Sequence, residues 1–383
     1  MLNKVELTLS KKLHILFLSK WYPSRVSPTN GDFIQRHAEA VATKHNVTLI
    51  HVITDEHLNK PREIIEFKKN DVKTFIIYVS PTKNLILKFF RFLKSYIKII
   101  NRIDNFNMVH LNITFPVGLI ALYLKWFKKK PYLISEHWSG YQLPLNKSIG
   151  YIPKKITKII VKNASMVCPV SKNLQDNMVN FGLKGNYYPI PNVVNTGHFN
   201  ILNEPHKKFI ITHISGMNNE IKNVEGIINV ISKLQHIIPN LKFYLIGDNP
   251  KKYAIQLEKI KPNTVKIINQ ISNSEVAYYL KKSSVFVLFS NYENLPCVIL
   301  ESFACGIPVI STDVGGVSEY FPKDFGYLIK PKDEISLKSS ILKIYNNELN
   351  FNKYLMHNYA IKNFGVETIS EMFSNIYSKI LSN

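Results

Sequence analysis

Residues 284–319 read SVFVLFSNYENLPCVILESFACGIPVISTDVGGVSE, two apolar blocks separated by a loop and one short apolar helix, then closed by a Gly-Gly turn. Val285 to Leu288 and Ile307 to Ile310 are continuous apolar runs, as expected of parallel strands covered on both faces. Between them, Pro296 suits the first helical position, where a missing N–H costs nothing, and Gly306 suits the position just past the helix end. The spacing predicts a helix of roughly ten residues whose N-terminus lies beyond the carboxyl end of a parallel strand. There, backbone N–H groups and the helix dipole favour a phosphate.

Two carboxylates flank that helix start. Taken alone, Glu301 reads as the solvated side of a helix and Glu293 as an ordinary loop carboxylate. Taken with a phosphate-binding helix end, they describe a nucleotide-sugar pocket, because a carboxylate accepts hydrogen bonds in pairs, as vicinal sugar hydroxyls require.

A chain of 383 residues is too long for one ordinary core and predicts two domains. Cys168, Cys297 and Cys305 show no ligand spacing and cannot all pair, which points to a reducing setting without a zinc site. The charged N-terminus, with Lys4, Glu6, Lys11 and Lys12, does not read as a secretion signal. No apolar stretch reaches the length that spans a bilayer, so a soluble or peripheral protein is expected. The net charge of +22 is uneven: residues 1–200 hold 29 Lys and Arg against 11 Asp and Glu, or +18, and the remainder 20 against 16, or +4. A basic first half predicts that this half faces an anionic surface.

In chain order, strands are predicted at 13–18, 47–53, 74–79, 108–111, 132–135 and 166–170. The first is followed by a loop ending in Gly31-Asp32 that opens a helix over 33–44. The segment 82–103 is a basic amphipathic helix: Lys83, Lys88, Arg91, Lys94, Lys98 and Arg102 line one face, and Leu85, Phe89, Phe90, Phe92, Leu93, Ile97 and Ile100 the other. It reads both as a covering helix and as a surface that offers lysines to lipid headgroups, each worth on the order of 1 kcal/mol. Lys154, Lys155, Lys158 and Lys162 form a second basic stripe. His137 follows the strand ending at Ser135, where parallel sheets place site residues, although a lone His is more often structural. Ser171 and Gly182 bound a further helix.

After Glu204-Pro205 the alternation restarts. Strands are predicted at 209–214, 243–246 and 265–268, with helices at 222–235 and 275–281, the latter capped by Ser274. Strand-helix alternation twice over predicts α/β architecture with two doubly wound domains facing one another. The boundaries fall at 1–195, 196–365 and a last segment 366–383.

The string ENLPCVILESFACGIPVISTDVGG, with Glu293 and Glu301 eight positions apart inside this strand-loop-helix-strand frame, resembles the donor-binding signature of the retaining glycosyltransferases of family 4, which have the GT-B fold of two Rossmann-like domains around a cleft. The resemblance implies that Glu301 holds the ribose of a nucleotide-sugar donor, Glu293 the transferred sugar, and the amides around Asn294, Leu295, Cys297 and Val298 the diphosphate. It places Gly216 and Gly247 on the donor side, Gly31 and Asp32 at the acceptor side of the cleft, and His137 at its mouth. Lys222 matches the family's phosphate lysine, and Glu293, His137 and Lys222 form the implied catalytic set. The arginine that usually precedes this lysine is missing from residues 215–223. In the family the C-terminal helix crosses back to the first domain.

No Asp-x-Asp occurs, so neither a metal nor another cofactor is expected, and the leaving diphosphate falls to Lys222 and loop amides. These readings predict a cytoplasmic enzyme, peripheral at the inner face of the membrane, that transfers a sugar to a lipid-linked saccharide in surface polysaccharide assembly (O-antigen, capsule or exopolysaccharide). A soluble acceptor is the alternative. Nucleic-acid binding, suggested by the charge, is disfavoured because the cations line helices without stacking aromatics on the same face.

Overall fold

The structure, a computed structural model, describes residues 12–202 and 208–382. The predicted charges at Lys4, Glu6 and Lys11 and the Glu204-Pro205 pair lie outside the described residues.

The first domain is built on strands β1 (His14–Ser19), β2 (Asn46–Thr54), β3 (Arg62–Lys69), β4 (Val72–Val79), β5 (Met108–Asn112), β6 (Tyr132–Glu136) and β7 (Met166–Pro169). They form one sheet in the order β3-β4-β2-β1-β5-β6-β7, parallel except for the antiparallel β3/β4 hairpin. Its helices are α1 (Asp32–Ala42), α2 (Leu85–Ile100), α3 (Gly118–Lys128), α4 (Tyr151–Asn163) and α5 (Lys172–Asn180). The second sheet is wholly parallel, with β8 (Ile210–Ser215), β9 (Lys242–Gly247), β10 (Val265–Asn269), β11 (Val285–Leu288), β12 (Val309–Thr312) and β13 (Gly326–Ile329) in the order β10-β9-β8-β11-β12-β13. Around it lie α6 (Asn219–Lys222), α7 (Val224–Leu234), α8 (Ala254–Leu257), α9 (Asn273–Lys281), α10 (Cys297–Ala304), α11 (Glu334–Tyr345), α12 (Lys353–Phe364) and α13 (Val366–Ser382).

Continuous apolar runs became central strands for the reason the sequence suggests. β1 and β11 are buried along almost their whole length because helices cover both faces. In each sheet the strand order reverses beside the first strand of its domain, at β1 and at β8. Ligands of open α/β sheets bind at such switch points, outside the carboxyl ends of the strands.

α13 packs on α1 rather than on its own sheet. Lys44 pairs with Glu367 and Glu371, both at 2.7 Å, and Tyr377 hydrogen-bonds His110 at 2.7 Å beneath the first sheet. One apolar cluster also runs without a break from Leu111 and Val170 in the first domain to Leu295, Ile299 and Phe303 in the second.

Several local expectations are corrected. β3 is absent from the sequence reading because it is an exposed edge strand without an apolar run; Asn70 and Asp71, both at positive φ, make the two-residue turn that pairs it with β4. The second apolar block enters the sheet at Val309, not Ile307. Pro296 is the N-cap of α10, with ψ 120°, rather than its first helical residue, whereas Gly306 follows the helix at φ 69°. α7 starts at Val224, because left-handed Asn223 ends the one-turn helix α6. Lys222 is therefore the last residue of a helix, where a cation suits the dipole. Ser272, not Ser274, caps α9, in a reciprocal capping box with Glu275. Only the second half of α2 packs on the sheet: Tyr96, Ile99 and Ile100 are buried, while residues 83–90 are exposed.

Candidate functional site

A cavity of about 790 Å³ lies between the two domains, at the carboxyl ends of both sheets. The first domain contributes the loop after β1 and one side of α1, with Asp32, Phe33 and Arg36. The second contributes the ends of β8 and β9 with Gly216 and Gly247, the segment 270–276, and Glu293, Cys297, Val298 and Glu301 together with Lys222.

Glu301 sits in the second turn of α10, facing the first domain, with only 4% of its side chain exposed. Its Oε1 accepts from Arg36 Nη1 at 2.6 Å and from Asn273 Nδ2 at 3.3 Å. Arg36 comes from α1, also donates to Asp32 at 2.7 Å and to the Val193 carbonyl at 3.2 Å, and leaves its buried Nε without a partner. Burial raises the Glu301 carboxyl above its ordinary value, and the adjacent guanidinium opposes that shift. The carboxylate is thus fixed through Oε1. Oε2 accepts no hydrogen bond from the described residues and is left for a ligand.

Glu293 repeats the arrangement at the other end of the α10 N-terminus. Its Oε1 accepts from Lys222 Nζ at 2.5 Å and from Ser290 Oγ at 2.7 Å. The loop that carries it is braced from below by the Gly315-Gly316 turn: a Cβ on Gly315, at φ 62°, would stand 2.0 Å from the Glu293 carbonyl, and Gly316 N–H donates to the Asn294 carbonyl at 2.8 Å. Only glycine permits both the left-handed backbone and that approach. Between the two carboxylates, the first turn of α10 leaves orphan N–H groups toward the cavity, with a partial positive charge.

The structure therefore brings Glu293, Glu301, Lys222, Cys297, Val298, Gly216, Gly247 and Asp32 to one cavity. It does not bring His137, Gly31, Asn294 or Leu295 to the lining. Gly31 is the left-handed N-cap of α1, tight against the Trp21 carbonyl, and its role there is steric. Asn294 ties the domains together, donating to the His137 carbonyl at 2.6 Å and accepting from Gln142 at 2.6 Å. Leu295 is buried, and its carbonyl accepts from Asn192 at 2.8 Å. The His137 ring lies against Phe33, with centroids 4.5 Å apart, and 5.2 Å from His37; neither of its buried ring nitrogens meets a hydrogen-bond partner of good geometry among the described residues, although Asn192 stands near enough to bear on its titration. Burial pushes it well below the ordinary histidine range, so it is a neutral ring held under Phe33.

Arg36, Asn273 and Ser290 escape a sequence reading. The one signal for Arg36 is its position one turn after Asp32, on the polar face of α1 shared with Gln35 and Glu39.

Residues 195–363 match the family described as glycosyl transferases group 1, and residues 33–198 match glycosyltransferase family 4. The chain is 27% identical over 335 residues to an uncharacterized glycosyltransferase of Methanocaldococcus jannaschii, covering 85% of this chain and 88% of that one. It is 27% identical over 250 residues to the putative teichuronic acid biosynthesis glycosyltransferase TuaC of Bacillus subtilis, 63% of this chain and 62% of the relative. Among solved structures, sucrose-phosphate synthase from Thermosynechococcus elongatus superposes with a TM-score of 0.78 at 18% identity, over 97% of this chain and all of that one. HepE of Anabaena, in complex with UDP-glucose, superposes with a TM-score of 0.74 at 15% identity, over 96% and all of it. Two parallel-sheet domains of GT-B type, closed on a pocket with this signature, and two family matches that together run from residue 33 to residue 363 lead to one conclusion: the chain is a glycosyltransferase of family 4.

Proposed function

We propose that the protein is a retaining glycosyltransferase that moves a sugar from a nucleotide-sugar donor to a lipid-linked saccharide at a membrane surface, in the assembly of a cell-surface polysaccharide. The observation that carries the donor half is the pair of anchored carboxylates, each with one oxygen that accepts no hydrogen bond among the described residues, one in the loop before α10 and one in its second turn. Glu301 takes the ribose hydroxyls, the first-turn amides of α10 take the diphosphate, and Glu293 takes the sugar. HepE of Anabaena, which has the same fold, is in complex with UDP-glucose, and this supports a nucleotide-sugar at this cleft.

Charge that develops on the leaving diphosphate is met by Lys222 and the α10 N-terminus, fixed positive groups in a half-enclosed cavity, and the transfer is metal-independent. The arginine missing from residues 215–223 has no replacement on that segment. Arg36, from the opposite domain, supplies the nearest guanidinium to Cys297 and Glu301.

The acceptor half rests on the basic first domain and on a relative named for teichuronic acid biosynthesis. No helix among the described residues is long and apolar enough to cross a membrane. The protein is accordingly proposed to be peripheral, at the cytoplasmic face.

Calorimetric titration with a panel of nucleotide sugars, followed by transfer assays, tests the reading. Glu301→Ala should lose donor binding by more than about a hundredfold with its fold intact, as removing buried hydrogen-bonded groups does. An active Glu301→Ala enzyme sinks the donor assignment. Activity untouched by EDTA agrees with metal-free transfer, and loss restored by manganese overturns it. Transfer that proceeds equally well to a water-soluble saccharide and without membranes would favour a soluble acceptor.

A further inference from the structure

A second cavity, of about 400 Å³, lies on the first domain between edge strand β3 and helix α2, lined by Pro61, Arg62, Ile64, Val79, Arg91 and Lys98. Three of its six lining residues are cations and none is an acid. The nearest carboxylates on β3 are already engaged, Glu63 by Arg25 and Glu66 by Lys73, each at 3.0 Å. Arg62, Arg91 and Lys98 form no ion pair among the described residues. Arg91 is held in place by Ser80, through the carbonyl at 3.4 Å and the hydroxyl at 3.0 Å. Arg62 Nε is buried with no hydrogen-bond partner among the described residues. A cluster of guanidinium and ammonium donors, with Arg91 held by Ser80 and one Arg62 donor unsatisfied, is the chemistry that recognises a phosphate.

The same helix supplies a second feature. Before Arg91, α2 runs beyond the domain with Leu85 78%, Ile86 70% and Phe90 52% exposed, and the whole of α2 contains no acidic residue. An apolar helix end flanked by unneutralised cations is the composition of a segment that lies in a lipid headgroup boundary. β4 leads into α2, so this end stands at the carboxyl edge of the first sheet, the edge that also borders the donor cavity.

We propose that the Arg62, Arg91 and Lys98 cavity binds the phosphate of an anionic phospholipid headgroup while Leu85, Ile86 and Phe90 enter the acyl boundary, which holds the cleft mouth at the membrane. This inference rests on the membrane-surface reading given above and adds a defined site to it. Diffuse attraction of a basic domain would be spread over all its cations, whereas the site concentrates binding in three.

Co-sedimentation with vesicles of equal parts phosphatidylglycerol and phosphatidylcholine, against phosphatidylcholine alone, tests it in the full chain. The wild type should bind only the anionic vesicles. Arg62→Gln combined with Arg91→Gln should weaken that binding roughly 30-fold, the loss expected of two headgroup-facing cations. The charge-matched control Lys259→Gln with Lys261→Gln, on the second domain, should bind as the wild type does. Equal losses in the two double variants mean diffuse charge and overturn the proposal, as does full vesicle binding by the Arg62/Arg91 variant. A thermal shift by inorganic phosphate that the Arg62/Arg91 variant loses, without any loss of vesicle binding, assigns the cavity to a soluble phosphate and overturns the lipid assignment. Donor titration separates this test from the reading of the cleft: the Arg62/Arg91 variant should bind donor normally, and Glu301→Ala should bind vesicles normally. Circular dichroism of each variant checks that it is folded.

Discussion

Arg36 and Glu301 belong to different domains and stand 2.6 Å apart, both almost fully buried. A buried carboxylate without a cation escapes its desolvation penalty by taking up a proton, so the guanidinium is what keeps Glu301 ionised. Around it stand Asp32 from α1, Cys297 from its own helix and Asn273 from α9; none of these replaces the cation. Donor affinity should fall on acidification through the raised Glu301 titration. In Arg36→Gln the opposing interaction is gone, so the same loss should begin at a higher pH than in the wild type. Titrations of both proteins from pH 8 to pH 5 check this. Parallel pH profiles would mean that Arg36 has only a packing role.

At the scale of elements, the loop between β11 and α10 depends on a turn that lies outside it. Gly315→Ala forces a left-handed backbone on alanine and drives a methyl group into the Glu293 carbonyl. The expected cost is about 1–3 kcal/mol in urea unfolding, with a larger drop in transfer than in donor binding because the sugar end is displaced first. Helix α9 offers a contrasting case. Ser272→Ala removes one half of the capping box at the rim of the donor cavity and should cost about 1 kcal/mol in urea unfolding. Periodicity and turn chemistry made most of these elements legible in the sequence. β3 was missed because an edge strand with one solvated face carries no apolar block, and the Ser272 cap was displaced by two residues because three consecutive polar residues offer the same hydroxyl and amide chemistry.

At the scale of the whole molecule, buried neutral histidines and α13 join the parts. His37, His51 and His213 are pushed down to about 4 by burial, from an ordinary value of 6.5. Their unfolded forms take up protons first as the pH falls, so the stability they carry is complete above pH 6.5 and is lost between 6.5 and 4. The loss between pH 7 and pH 5 should be about 2 kcal/mol for each histidine, measured as a falling urea midpoint. Tyr377→Phe leaves the buried His110 Nδ1 without its partner and should cost about 1–3 kcal/mol, which would show that α13 stabilises the first domain to which it returns. The sequence by itself determined the α/β alternation and hence two doubly wound domains, the short helix between β11 and β12, and the glutamates before and within it, because the periodicity and turn signals that mark these are local. Only the tertiary structure decided that Glu301 is buried rather than solvated, that Arg36 holds it, that Asn294 links the domains instead of lining the pocket, and that His137 is packed under Phe33. Each of these depends on pairs more than a hundred residues apart: the Glu301 and Asn294 contacts are set by how the two sheets close on one another, and the Phe33–His137 contact by how α1 packs at the end of β6 within the first domain, none of them by a local pattern.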